Sequence, residues 1–182
     1  MAKELIIITN FRKYSLFFLL FLSLDQFSKI AVRKLFQDGL QRSYSVLGNF
    51  FKITYVENPG AVFGISIGTG NLNQIIFLVL TLVAICIIVY LFLKSAHPLA
   101  DLGFVLILSG AFGNLIDRIA FGKVTDFLDF DFFDFIVDRW YVFNIADSCI
   151  LIGVSILMIY FIFFEKKVEK SQNINKVNLE NK

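Results

Sequence analysis

Seven polar side chains stand out in a chain otherwise rich in hydrocarbon: Asp25, Lys29, Asn114, Asp117, Arg118, Asn144 and Asp147. Carboxylates, amides and two cations can pair as ions, hold water, or move protons on a bound substrate. They cannot build a histidine-based zinc site, because His97 is the one histidine and HExxH needs two. Spacing groups them. Asp25 and Lys29 are four apart, Asn114 stands three and four before Asp117 and Arg118, and Asn144 stands three before Asp147. Each group therefore occupies one face of a helix.

The elements that position these groups are membrane spans. A bilayer crossing takes about 20 mostly apolar residues, and four stretches qualify: Tyr14 to Val32, Ile75 to Leu93, Leu99 to Ala120 and Asn144 to Phe164. The first follows Arg12 and Lys13 as a signal peptide would. However, Asp25, Gln26 and Lys29 stand where a small-residue cleavage site belongs, so it reads as a mature helix. In an up-and-down arrangement the end of helix one, the end of helix three and the start of helix four share one leaflet. All seven polar groups then meet on one side of the membrane, and Asp126 follows there in the connecting segment. An ionised residue at mid-membrane costs roughly 2.5 to 3.5 kcal/mol. Asp25, Lys29, Asp117, Arg118 and Asp147 left unpaired would cost on the order of 10 kcal/mol, as much as a whole folding stability. They must be paired, hydrated or functional.

Each group also has a plain structural reading. Asp25 and Lys29 suit a helix-strengthening ion pair, and Asp117 with Arg118 suits an interfacial charge cluster. Asn144 is a good N-cap with Asp147 at the third helical position, and Asp126 taken alone is a solvated loop charge.

Composition agrees with a membrane protein. The chain has 182 residues, 57% of them hydrophobic, with 23 Phe and a mean hydropathy of +0.73. A net charge of +2 with scattered basic residues leaves no nucleic-acid footprint. Cys86 and Cys149 sit inside apolar runs and form no disulfide framework. Between the first two spans, "YSVLGNFFKITYVEN" alternates Phe51, Ile53 and Tyr55 against Lys52, Thr54 and Val56 after the Gly48-Asn49 turn, which predicts a hairpin or small sheet. Trp140 and Tyr141 are the aromatics expected at headgroup level. Lys and Arg are divided almost evenly between the two sides, so the positive-inside rule favours a cytoplasmic N-terminus only slightly.

Four blocks in order, "DQFSK" (25–29), "ENPGAVFGI" (57–65), "GAFGNLIDRIAFGKVTDFLDF" (110–130) and "FNIADS" (143–148), resemble the lipoprotein signal peptidases, the type II signal peptidases of bacterial cytoplasmic membranes. FNIAD alone is weak; the four in register are specific and span about residues 14 to 165. The resemblance implies a membrane protein made of a four-helix bundle with a small extracytoplasmic β-sheet between helices one and two, within about 35–73. Residues 1–13 and 166–182 would be cytoplasmic, and the site would lie near the outer leaflet. It implies an aspartic endopeptidase with Asp126 and Asp147 as the catalytic pair. Asn58, Asn114, Arg118 and Asn144 would line the site, and Asp25 and Asp117 would be structural. The expected partners are lipid-modified prolipoproteins and membrane lipids, with no cofactor, no metal and no nucleic acid, and the chain would act as a monomer. The segment between the two catalytic positions is unusually rich in Asp and Phe, and Ser109 stands where a second glycine is common.

By the same resemblance, two carboxylates close enough to share a proton cannot both ionise, so one serves as acid and the other as base for water. Two other classes remain open on the residues alone. A proton-coupled transporter would need polar groups through the membrane depth, yet between Ile75 and Leu93 the second span offers only Thr81, Cys86 and Tyr90. A non-catalytic scaffold would leave the convergence of Asp126 and Asp147 without purpose.

Overall fold

The computed structural model describes residues 2–60, 71–131 and 141–164, with side chains from Tyr14 onward and Asn71 excepted. Residues 61–70, 132–140 and 165–182 lie outside the described residues. With them go most of the ENPGAVFGI block after Gly60, the expected headgroup-level Trp140 and the Lys- and Asn-rich tail.

Helix α1 runs Ala2–Leu35, α2 Asn71–Lys94, α3 Pro98–Phe121 and α4 Ile145–Phe163. Among the described residues these four are long and apolar enough to cross a membrane, α1 from Tyr14 onward. The boundaries expected from the sequence move by a few residues, because local caps rather than hydropathy set them. His97 accepts the Leu99 amide at the start of α3 (3.2 Å), and Pro98 follows at the first helical position, where a missing N–H costs nothing. Gly122 ends the helix with φ 71, a left-handed conformation that glycine adopts without strain. Asn144 caps α4 from just outside the helix.

Helix α3 is the mostly buried centre, packed against the other three helices. It meets α4 closely from its first half to its middle. A Cβ on Gly110 would overlap the Ala146 carbonyl, and one on Gly153 would overlap the Gly103 carbonyl. Lipid offers no hydrophobic gain for bringing apolar helices together, so small residues that let the backbones touch supply the attraction. Ala100, Phe104, Ile107 and Leu157 close that end of the bundle, and Ile85, Leu108 and Leu115 hold α2 to α3. The short α2–α3 connection does make those helices antiparallel neighbours.

The sheet extends the expectation. Strands β1 (Ser43–Leu47) and β2 (Phe51–Asn58) form the anticipated hairpin around Gly48, with Ser43 opposite Thr54. A third strand, β3 (Val124–Phe130), pairs antiparallel with β2 and makes β2 the middle strand. Asp126 therefore sits on a buried strand between α3 and α4, not in a solvated loop. The strand escaped the sequence reading because it is buried on both faces and so does not alternate, and because Asp126 and Asp129 fill buried positions where strand prediction expects apolar residues. Ile53, Tyr55, Phe127 and Leu128 pack on Val32 and Phe36 at the end of α1, so the sheet is seated on the end of the bundle to which the polar groups point.

Candidate active site

Three elements deliver the carboxylates and amides to one place. Phe143 bridges Leu128 on β3: its carbonyl accepts the Phe127 and Leu128 amides at 3.0 and 2.7 Å, and its own amide donates to Leu128 O at 3.1 Å. This pins the start of α4 beside β3. The next residue, Asn144, then reaches Asp126, and its Nδ2 donates to Asp126 Oδ1 at 2.6 Å. The other carboxylate oxygen of Asp126 accepts from Asn58 Nδ2 at 3.1 Å. Asn58 ends β2 opposite Val124, and its Oδ1 accepts the Gly60 amide at 3.0 Å, so its NH₂ is turned towards Asp126.

Asp147 is held from two sides. Asn114 Nδ2 donates to its Oδ1 at 2.8 Å, and the Asn144 backbone amide donates to its Oδ2 at 3.1 Å. The Asp147 amide returns a bond to Asn144 Oδ1 at 2.8 Å, which completes a capping box. The structural and functional readings of Asn144 and Asp147 are thus compatible, since one geometry serves both. Asn144 Nδ2 also donates to Asn114 Oδ1 at 3.1 Å, so the two asparagines link the carboxylates into one network.

Beneath this network lies a layer of ion pairs. Lys29, fully buried, contacts Asp25 at 2.9 Å and Asp117 at 3.7 Å, and donates to Asn114 Oδ1 at 3.0 Å. Asp25 also accepts the Ala146 amide at 2.9 Å and Gln26 Nε2 at 3.0 Å. Asp117 accepts the Thr125 amide at 2.9 Å and pairs with Arg33 at 3.3 Å, while Arg33 donates to Thr125 Oγ1 at 2.8 Å. Asp25 therefore anchors the start of α4 and Asp117 anchors β3 one residue before Asp126. Asp117 thus pairs with Arg33 and Lys29 of α1, while Arg118, about 100° round the helix from it, turns to the Asn114 carbonyl. Arg118 lies half-buried near the Phe77 ring, donates to Asn114 O at 3.5 Å, and places its charge within reach of Asp147, Asp126 and Asp117.

All nine residues singled out from the sequence (Asp25, Lys29, Asn58, Asn114, Asp117, Arg118, Asp126, Asn144 and Asp147) thus belong to one cluster. Arg33, Gln26 and Thr125 were missed. Arg33 was legible in principle, since Asp25, Lys29 and Arg33 recur every four residues on one face of α1. Thr125 acts through its backbone amide, and no side-chain pattern signals that.

Charge explains the protonation. Asp25, Asp117, Asp126 and Asp147 face Lys29, Arg33 and Arg118, so the cluster becomes neutral when one proton sits on a carboxylate. Burial, and then the Asp147 charge, push the Asp126 carboxyl up to about 7, against the opposing hydrogen bonds of Asn58 and Asn144. A carboxyl that retains its proton near neutrality beside a second carboxylate has what acid–base work on water requires.

Residues 17–163 match the family described as Signal peptidase (SPase) II. The chain belongs to that family. The lipoprotein signal peptidase of Moorella thermoacetica is 46% identical over 140 residues, covering 76% of this chain and 85% of the relative. That of Clostridioides difficile is 42% identical over 155 residues, covering 85% and 97%. Two solved structures of bacterial membrane enzymes, obtained by the in meso method at 2.3 and 1.9 Å resolution, superpose with a TM-score of 0.69 at 30% and 29% identity. They cover 82% and 84% of this chain, and 87% and 94% of their own. Membership in the signal peptidase II family makes the chain a protease and a multi-pass bacterial membrane protein, in keeping with its four candidate spans. The fold expected from the sequence, a mostly helical bundle with a small sheet, stands.

Proposed function

We propose that this signal peptidase II removes signal peptides from diacylglyceryl-cysteine-modified prolipoproteins, using Asp126 and Asp147 as a pair that shares one proton. The observation that carries the reading is the continuous Asp126–Asn144–Asn114–Asp147 hydrogen-bond network at the end of the bundle. Asp126 is almost fully buried, whereas Asp147 and Asn58 are partly exposed, so substrate approaches from their side. The ionised carboxylate takes a proton from water, and the water oxygen bonds to the peptide carbonyl carbon. The protonated carboxyl meanwhile donates to the carbonyl oxygen. The resulting gem-diol collapses: one hydroxyl returns its proton to the ionised carboxylate, the C–N bond breaks, and the amine leaves with the proton of the other carboxyl, so that the pair again holds one proton. The proton belongs to the pair and to neither residue alone. Asn58 and Asn144 hold Asp126, Asn114 holds Asp147, and Arg118 offsets negative charge or meets a lipid phosphate. The chain works as a monomer, without metal or cofactor. The test is conversion of a lipid-modified prolipoprotein by the purified protein in detergent, with the released peptide identified by mass spectrometry. Absence of cleavage would refute the reading.

The pH profile follows from the shared proton. Raising the pH through about 7 strips it, leaving two carboxylates and no acid. The expected kcat/KM falls about tenfold per pH unit above that point. Stability moves the same way. Between 3.8 and about 7 the folded protein holds on the Asp126–Asp147 pair a proton that the unfolded chain has released, so stability is greatest at the acid end and declines across this window. A pH–rate profile flat to pH 9 would contradict the assignment.

On this reading the site lies near the outer leaflet, with both termini cytoplasmic. A cysteine at exposed Ser43, in a chain with Cys86 and Cys149 replaced by alanine, should label with a membrane-impermeant thiol reagent in whole cells, and one at Ser171 should not. Labelling in the reverse order would invert the topology.

A further inference from the structure

We infer that Lys29 is a positioning residue for the carboxylate pair, acting through the Asn114 amide. The inference rests on the Asp126–Asp147 reading and adds to it the group that holds the pair in register. An asparagine amide can be turned either way, and its neighbours decide which. Lys29 offers only donors, and its Nζ lies 3.0 Å from the Asn114 oxygen. The oxygen must therefore face Lys29, and the NH₂ must face Asp147, where it donates at 2.8 Å. The same oxygen accepts Asn144 Nδ2, and this helps fix the Asn144 amide, which donates to Asp126. The buried ammonium thus sets the Asn114 amide directly, and with it one oxygen of Asp147, and supports through Asn114 the Asn144 amide, whose own oxygen also accepts the Asp147 backbone amide.

The surroundings of Lys29 leave it no simpler role. An ion pair with Asp25 alone needs no contact with α3, yet the ammonium spans Asp25 on α1 and Asn114 and Asp117 on α3. Asp126 on β3 and Asp147 on α4 also lie within reach of its charge, and the like charges of Arg33 and Arg118 border the same cluster. Removing Lys29 leaves the cluster one cation short, and neutrality then requires a second proton. With both members of the pair protonated, no base remains for water.

The test compares wild type, Lys29→Met, Asp25→Asn/Lys29→Met and Asp126→Asn on one lipidated precursor, across pH. Lys29→Met is expected to lower kcat by about 10²-fold, as misplaced reacting groups do, with KM changed by less than about twofold. The alkaline limb of its kcat/KM profile should move upward by about one pH unit or more. The double variant keeps the buried charge balanced and guards against misfolding of the single one. Its alkaline limb should return towards that of wild type, while its kcat stays low because Asn114 remains unanchored. A Lys29→Met profile unchanged in shape, with activity tracking only the amount of folded protein, would overturn the inference, as would wild-type kcat in the double variant. An active Asp126→Asn would instead overturn the carboxylate-pair reading, so the two failures are distinguishable.

Discussion

Asp126→Asn and Asp147→Asn are each expected to lower the rate of precursor cleavage by at least about 10³-fold, within the range assigned to positioned acid–base groups. Each substitution preserves volume and removes a proton-transfer group. The folding cost is bounded by the hydrogen bonds. Asp126 accepts from Asn144 and Asn58, and Asp147 accepts from Asn114 and the Asn144 amide. An asparagine carbonyl satisfies one donor of each pair and leaves the other facing an NH₂, at a cost of about 1–3 kcal/mol. The ion pairs beneath, from Lys29 and Arg33 to Asp25 and Asp117, remain. The variants should therefore elute from size exclusion as wild type does, and melt a few degrees lower. Full turnover by either purified variant would remove that residue from the chemistry.

The second large effect concerns the lipid. A precursor whose cysteine after the cut carries a diacylglyceryl group should be cleaved at least about 10²-fold faster in single turnover than the same precursor without it. The polar cluster lies at the end of the bundle, so the scissile bond must be held at that depth. Acyl chains anchor the flanking cysteine by about 0.8 kcal/mol per buried CH₂. Because the anchor fixes position as well as affinity, its loss lowers turnover and not only binding. Equal single-turnover rates would mean that the lipid is not read and that the substrate assignment is wrong, even with the carboxylate pair intact.

Much of this protein could be read without coordinates, because the membrane imposes simple rules. A span must be long and apolar, so the four helices declared themselves, and a charge inside one must be compensated, so Asp25, Lys29, Asp117 and Asp147 declared themselves as a group. Spacing of three and four placed each set on one face. The hairpin around Gly48 was legible from strand alternation and turn chemistry. Which groups act on which was not legible, since hydrogen bonds among Lys29, Asn114 and Asn144 join residues 30 and 85 positions apart in sequence.

The least accessible element was β3. A strand buried on both faces, with Asp126 and Asp129 among its buried residues, lacks the apolar alternation that marks a strand, and its pairing with β2 and its bridge to Phe143 are non-local. Asp126 alone therefore read as a solvated loop charge, and the resemblance to a family, rather than any local pattern, marked it out. The sequence by itself determined the spans, the end of the bundle at which charge accumulates, and the residue types available for chemistry. Only the tertiary structure decided that Lys29 and Arg33 pair with Asp117, that Asp25 and Asp117 fasten backbone amides of α4 and β3, and that two asparagines join Asp126 to Asp147. The reason is physical: helical periodicity fixes the direction of a side chain about its own axis, whereas the partner it meets depends on how separate elements pack, and no local spacing encodes that.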